Sequence, residues 1–185
     1  AMGIITGRRN LSYPVDLRVD KLAVPKFEET EIPENRPGGI LNNRIAKEIE
    51  KANEFVERQN FEIDRLFQNY KWKYELVSPE IDDKELLKNG FIYKLVRVSS
   101  TGKKVKEFLG YELNDIEQDY ITTIQKPDGS ITLRAIPVNA PVHKFYIKTL
   151  PRDEVYLGES WDADETWQDA LKNHLKNLID NLERR

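Results

Sequence analysis

At 185 residues the chain has room for one domain with extensions, or two small ones, and it can bury a core without covalent staples. It has no cysteine, which excludes a disulfide framework, thiol chemistry and cysteine-ligated zinc. A net charge of -3 supplies no global drive toward nucleic acid or an anionic membrane, so any such binding has to come from a local patch. Charged residues at 33% beside a hydrophobic class at 39% describe a folded but heavily solvated protein. No apolar run approaches the roughly 20 residues of a membrane helix, and no signal-peptide pattern opens the chain. A soluble, cytoplasmic protein is expected.

Residues 3–39 read as an extended arm, punctuated by Pro14, Pro25, Pro33 and Pro37 and carrying Glu28, Glu29, Glu31 and Glu34. Within it Val15, Leu17 and Val19 alternate with Asp16, Arg18 and Asp20, which predicts one edge strand. The remainder, 40–185, reads as a single α+β domain.

From Ile40 to Lys71 there is neither Gly nor Pro, and Ile45, Ile49, Ala52, Val56, Gln59, Ile63, Leu66 and Tyr70 return at intervals of three and four. That spacing predicts a long helix over 40–71 and approaches a heptad seam. Phe55 and Phe67 flank the stripe and widen it toward the broad face a helix shows to a sheet. The stripe is therefore expected to form the domain's own core. Phe61 falls on the opposite side, with Arg58 and Arg65, where the same core is out of reach. These three residues are the candidate partner-binding group.

A short strand is expected over Trp72–Val77, then a short helix with Asp82 and Glu85 as a capping box, Leu86 and Leu87 buried, and Asn89-Gly90 as its stop. Across 91–157 the period changes to two. Phe91–Val98, Val105–Leu113, Tyr120–Gln125, Ile131–Val138 and Val142–Leu150 form five strand-like runs with turns between them, which predicts an antiparallel meander. In the last run His143, Phe145 and Ile147 are assigned to the core, and Lys144, Tyr146 and Lys148 to a wet face. A small strand at Val155–Leu157 follows. Residues 162–183 form a C-terminal helix with the stripe Trp167, Leu171, His174 or Leu175, Leu178 and Leu182, and with Asp162, Asp164 and Glu165 as favourable charges at its start.

Motifs for chemistry are scarce. His143 and His174 have no partner at metal-ligand spacing, so both are assigned structural roles. Ser100-Thr101-Gly102-Lys103-Lys104 lacks the first glycine and the Ser or Thr of a phosphate loop and reads as a hairpin turn. Asp162, Asp164 and Glu165 lack the glycine and third oxygen position of a calcium loop. Asp82-Asp83-Lys84 has a nuclease-like spacing but opens a helix rather than lying on a strand. No cofactor or metal is expected.

The reading that follows is a non-catalytic protein-binding or scaffold component of a larger assembly, working through the arm and the exposed parts of the long helix. Homo-oligomerisation through that helix is one form of it. Two alternatives stand beside it: single-stranded nucleic-acid binding on the basic, aromatic face of Lys144, Tyr146 and Lys148, and a small-molecule or carboxylate-based catalytic pocket between sheet and helices.

Overall fold

A computed structural model describes residues 9–29, 40–109, 119–125, 131–137, 141–159 and 161–185. Residues 3–8 and 30–39 of the expected arm, and the expected turns at Asn114-Asp115, Lys126-Pro127-Asp128-Gly129 and Asn139-Ala140, lie outside them. The strands are β1 (Arg9–Asn10), β2 (Leu22–Pro25), β3 (Tyr74–Val77), β4 (Tyr93–Thr101), β5 (Asp119–Gln125), β6 (Ile131–Pro137), β7 (Pro141–Thr149) and β8 (Val155–Tyr156). The helices are α1 (Ile40–Leu66), α2 (Asp83–Lys88), α3 (Gly102–Leu109) and α4 (Trp167–Glu183).

The main sheet has the order β1-β8-β7-β4-β2-β3, and β5 and β6 pair separately. It is mixed, not the expected antiparallel meander. β4 and β7 are antiparallel from Tyr93↔Thr149 to Thr101↔Pro141, but β2 runs parallel to both β3 and β4. Parallel neighbours need crossover connections, and α1 and α2 provide them by linking β2 to β3 and β3 to β4.

The expected edge strand at Val15–Val19 is instead a 3-10 turn over Val15–Arg18, with Leu17 buried and Val15 and Val19 exposed. Pro14 opens the turn, and the Asp16 carbonyl accepts from both Val19 and Asp20. The strand comes later, at Leu22–Pro25, and occupies the sheet interior. Leu22, Ala23 and Val24 are all buried, so this strand reads as a continuous apolar run rather than an alternation. Residues 13–25 thus belong to the same core as the rest of the sheet.

Strand alternation sends Leu22, Val24, Leu95, Phe145 and Ile147 to one face, where Ile63, Phe67 and the α4 residues Leu171, Leu175, Leu178 and Leu182 cover them. Ala23 and Val77 meet Leu86 of α2, and Val98, Val142 and Tyr146 meet Val105 and Leu109 of α3, on the other face. Val105–Leu109 is therefore helical rather than the expected strand. Val105 and Leu109 stand four apart, which buries both on one helix face. With helices on both sides, the face carrying Lys144 and Tyr146 is covered, which corrects its assignment as wet.

Several end signals act as expected. Asp82 caps α2 by accepting from Glu85 N at 2.8 Å, and Gly90 follows with φ +89°. Leu86 is buried but Leu87 is exposed. At the start of α4 the cap is Thr166, which accepts from Asp169 N at 3.2 Å. Asp162 and Asp164, expected to serve that helix end, are buried elsewhere.

Candidate functional site

Helix α1 has 27 residues and at 1.5 Å per residue is about 40 Å long. Only its C-terminal third joins the main core. Ile63 is buried there, followed by Phe67 and Tyr70 just beyond the helix. Gln59, the one polar member of the stripe, accepts the Trp167 indole N–H at 2.6 Å, which explains its place between apolar neighbours. Toward the N-terminus the stripe loses its cover: Ile45 is 47% exposed, Ile49 and Val56 are half-buried, and Ala52 is exposed. Phe55, expected to widen the core face, is 57% exposed. Phe55 does not join any of the core clusters of the described residues.

The three expected partner residues fall as follows. Phe61 is 72% exposed, the most open of the large apolar side chains among the described residues. Arg58 is exposed beside it. Arg65 is exposed too, and its Nε donates to Glu62 at 3.0 Å, so its charge is balanced within the helix.

Lys144, Tyr146 and Lys148 form no open platform. Lys148 binds Asp83 and Asp153, each at 2.8 Å, and Asp83 also accepts from Lys94 at 2.9 Å. Asp83 thus straddles Lys94 and Lys148, which are cross-strand partners on β4 and β7. Burial acts to raise the Asp83 pKa, but the two lysines outweigh it and hold the carboxyl below its usual range. This accounts for the Asp82-Asp83-Lys84 run as a cap followed by an ion-pair clamp.

Lys144 is fully buried, a role the sequence reading missed. Downstream of β8 the chain leaves β7 after Val155 and Tyr156 have paired with Lys148 and Ile147, and it rejoins only where Asp164 bridges His143. Asp162 lies on the chain between these two pairings. The Lys144 ammonium meets Asp162 Oδ1 at 2.7 Å and donates to the carbonyls of Phe145 and Leu157. Asp162 Oδ2 takes Asn177 Nδ2 at 3.2 Å and His174 Nδ1 at 3.4 Å, and the Tyr13 hydroxyl lies 3.4 Å from the same ring nitrogen. Burial raises the Asp162 pKa, yet Lys144 and His174 prevail and hold it below the carboxylate range. His174 is pushed down by burial, with Lys144 adding to that and Asp162 opposing it, so the imidazole is neutral at pH 7. His174 Nε2 has no partner among the described residues. Placing the proton on Nδ1 toward Asp162 leaves an acceptor rather than a donor unpaired there, the cheaper choice.

A cavity of about 350 Å³ lies over this network, lined by Tyr13, Asn177 and Asn181 together with Glu159, Asp180 and Glu183. The buried charges themselves are shut off from it: Lys144 and His174 are 0% exposed and Asp162 is 2%. A carboxylate ion-paired to Lys144, met by Asn177 and His174 and closed to solvent is poorly placed to exchange a proton with a substrate, and we assign the network to holding residues 161–164 against β7. Nothing in composition or spacing joins residues 144, 162 and 174, since Lys144 sits in an ordinary apolar/polar alternation.

Among the described residues no group of three or more His, Asp or Glu is arranged to hold a metal ion, and no helix is long and apolar enough to cross a membrane. The chain matches no known protein-family model and no curated protein sequence.

Proposed function

We propose that the chain is a non-catalytic protein-binding component, whose contact element is the N-terminal two thirds of α1 and whose partner presents an amphipathic helix. One observation carries the reading: Ile45, Ile49, Ala52 and Val56 keep alternating spacings of four and three on a part of α1 outside the main core cluster, with Ile45 and Ala52 exposed, Ile49 and Val56 half-buried, and exposed Phe55 beside them. A helix exposing apolar side chains at this spacing is stabilised when a second helix covers them. A second copy fits the flanking charges, because Glu48, Asn53, Phe55 and Asn60 beside the seam bring no pair of like charges together in parallel register, while Ala46 is already buried within the chain. Phe61, with Arg58 and Arg65, extends the contact to the opposite side of the helix.

The partly open seam spans about two heptads, so self-association is expected to be weak, in the micromolar range or above. Sedimentation velocity from 5 to 500 µM is the test. Concentration-dependent dimerisation that Ile49→Asp with Val56→Asp abolishes supports the reading. A chain that is monomeric throughout and whose α1 amides exchange as slowly as those of the core would overturn it. Phe61→Ala reads the second side: unchanged association removes Phe61, Arg58 and Arg65 from the contact.

A further inference from the structure

β2 and β4 pair over two rungs only, Leu22 with Tyr93 and Ala23 with Lys94. β4 stays paired to β7 as far as Thr101, but on its other edge no strand of the described residues continues, and Pro25 has no N–H to offer it. A cavity of about 230 Å³ occupies the place where pairing stops, walled by Val24, Ile63, Leu95, Phe145, Trp167 and Leu171. The Trp167 N–H is already held by Gln59, so what the indole contributes to the cavity is apolar surface.

Phe27 and Arg97 stand at its mouth. The Phe27 backbone is fixed by Asn60, whose Oδ1 accepts from Phe27 N at 2.7 Å, and its ring meets Trp167 edge-on with centroids 4.9 Å apart. The Arg97 guanidinium lies over the other aromatic, Phe27, at 4.8 Å from its centroid. Burial of part of the side chain lowers the Arg97 pKa, and no carboxylate of the described residues pairs with it. Among the described residues the cavity lining contains neither Asp nor Glu. With its guanidinium carbon over the Phe27 ring and no carboxylate partner among the described residues, Arg97 can offer its N–H fork to a ligand, and that fork matches a carboxylate with two parallel hydrogen bonds.

We infer that this cavity binds a small amphipathic monocarboxylate, an aryl-alkyl or short-chain acid, with its apolar body against Trp167, Phe145 and Leu171 and its carboxylate on Arg97. The volume limits the occupant to about a dozen non-hydrogen atoms, well below a drug-sized ligand. One arginine with no carboxylate partner among the described residues, and exposed Lys26 nearby, match one negative charge, whereas a phosphate dianion calls for a denser set of donors. The sequence alternative of a small-molecule or carboxylate-based pocket between sheet and helices is of this general kind, and here the charge offered by the protein is a cation rather than a carboxylate.

The experiment titrates the full chain with 3-phenylpropionate and with octanoate, and in parallel with 3-phenylpropanol, by calorimetry and by the indole N–H resonance that Trp167→Phe assigns. Expected are saturable shifts of the Trp167 resonance with a Kd of about 0.1 mM for an acid of this size. Arg97→Gln and the neutral alcohol each weaken binding about tenfold, and Arg97→Lys lies between because it keeps the charge but not the fork. Thermal melts check that each variant is folded, and if Arg97→Gln is not, Arg97→Lys carries the comparison. Alcohol binding as tight as the acid, an Arg97 variant that folds and binds like wild type, or no shift of the Trp167 resonance at 10 mM acid overturns the inference.

Discussion

Replacing Lys144 by Met removes one buried ammonium while keeping a side chain of similar length. Three interactions vanish together: the ion pair to Asp162 Oδ1 and the hydrogen bonds to the Phe145 and Leu157 carbonyls. Asp162 then keeps only Asn177 and His174, both at Oδ2, inside a site that is 2% exposed. Breaking a buried pair on one side costs about 3–5 kcal/mol because the remaining charge is uncompensated, roughly a fifth or more of the total stability of a typical domain. The loss depends on pH, and its sign follows from the neighbours. Lys144 holds the Asp162 pKa down and also pushes the His174 pKa down, so its removal moves both upward in the folded state. A folded-state pKa raised above its former value returns stability as pH falls, about 1.4 kcal/mol for each unit by which it exceeds the assay pH. Lys144→Met should therefore be most damaging at pH 8 and less so at pH 5, where His174 or Asp162 takes the proton. Urea unfolding followed by tryptophan fluorescence at the two pH values measures both numbers. Lys144→Met with Asp162→Leu should recover most of the loss, since apolar groups of similar size replace a buried pair at little cost. A single variant that costs under about 1 kcal/mol at pH 8, with no gain from the double one, would refute the buried ion pair.

Three further outcomes are expected. Gly158 has φ +86°, and a Cβ there would sit 2.6 Å from the Tyr13 hydroxyl, so Gly158→Ala combines backbone strain with a clash and should cost about 2 kcal/mol or more. Tyr13→Phe in the Gly158→Ala background should recover the clash but not the strain in thermal unfolding; a full recovery would show that φ plays no part. Wild-type stability should fall as pH drops below about 6.5, because burial lowers the folded-state pKa of both His143 and His174 and the unfolded chain takes up their protons first. The slope is at most about 1.4 kcal/mol per pH unit for each histidine, and a flat profile between pH 7.5 and 5.5 would contradict neutral, buried rings. Trp167→Phe deletes the donor to Gln59 and leaves that stripe residue without it, so urea unfolding should show a loss of about 1–3 kcal/mol, whereas Phe61→Ala should stay within about 0.5 kcal/mol of wild type.

Local signals served well where a residue's environment is set by its near neighbours. The α4 stripe Trp167, Leu171, Leu175, Leu178 and Leu182 is buried as the period of 3.6 requires, Asp82 caps α2, and the β7 residues Phe145 and Ile147 face the core. The same reasoning failed at Val15–Val19 and Val105–Leu109, where alternation and helical spacing agree over so few residues that a cap or a neighbouring layer decides between them. It failed again at Phe55, which has the right angle on α1 but is exposed and joins no core cluster of the described residues.

Periodicity and end signals by themselves determined an α+β chain with a long N-terminal helix, a C-terminal amphipathic helix, a strand-rich middle and an exposed Phe61. They act over a few residues, and a sequence records them directly. Only the tertiary structure decided that the sheet is mixed, that its supposed wet face lies under α2 and α3, and that Lys144, Asp162 and His174 meet. Strand order and charge pairing depend on which distant segments share an edge, and a lysine's alternation looks the same whether its ammonium ends in water or on a buried carboxylate.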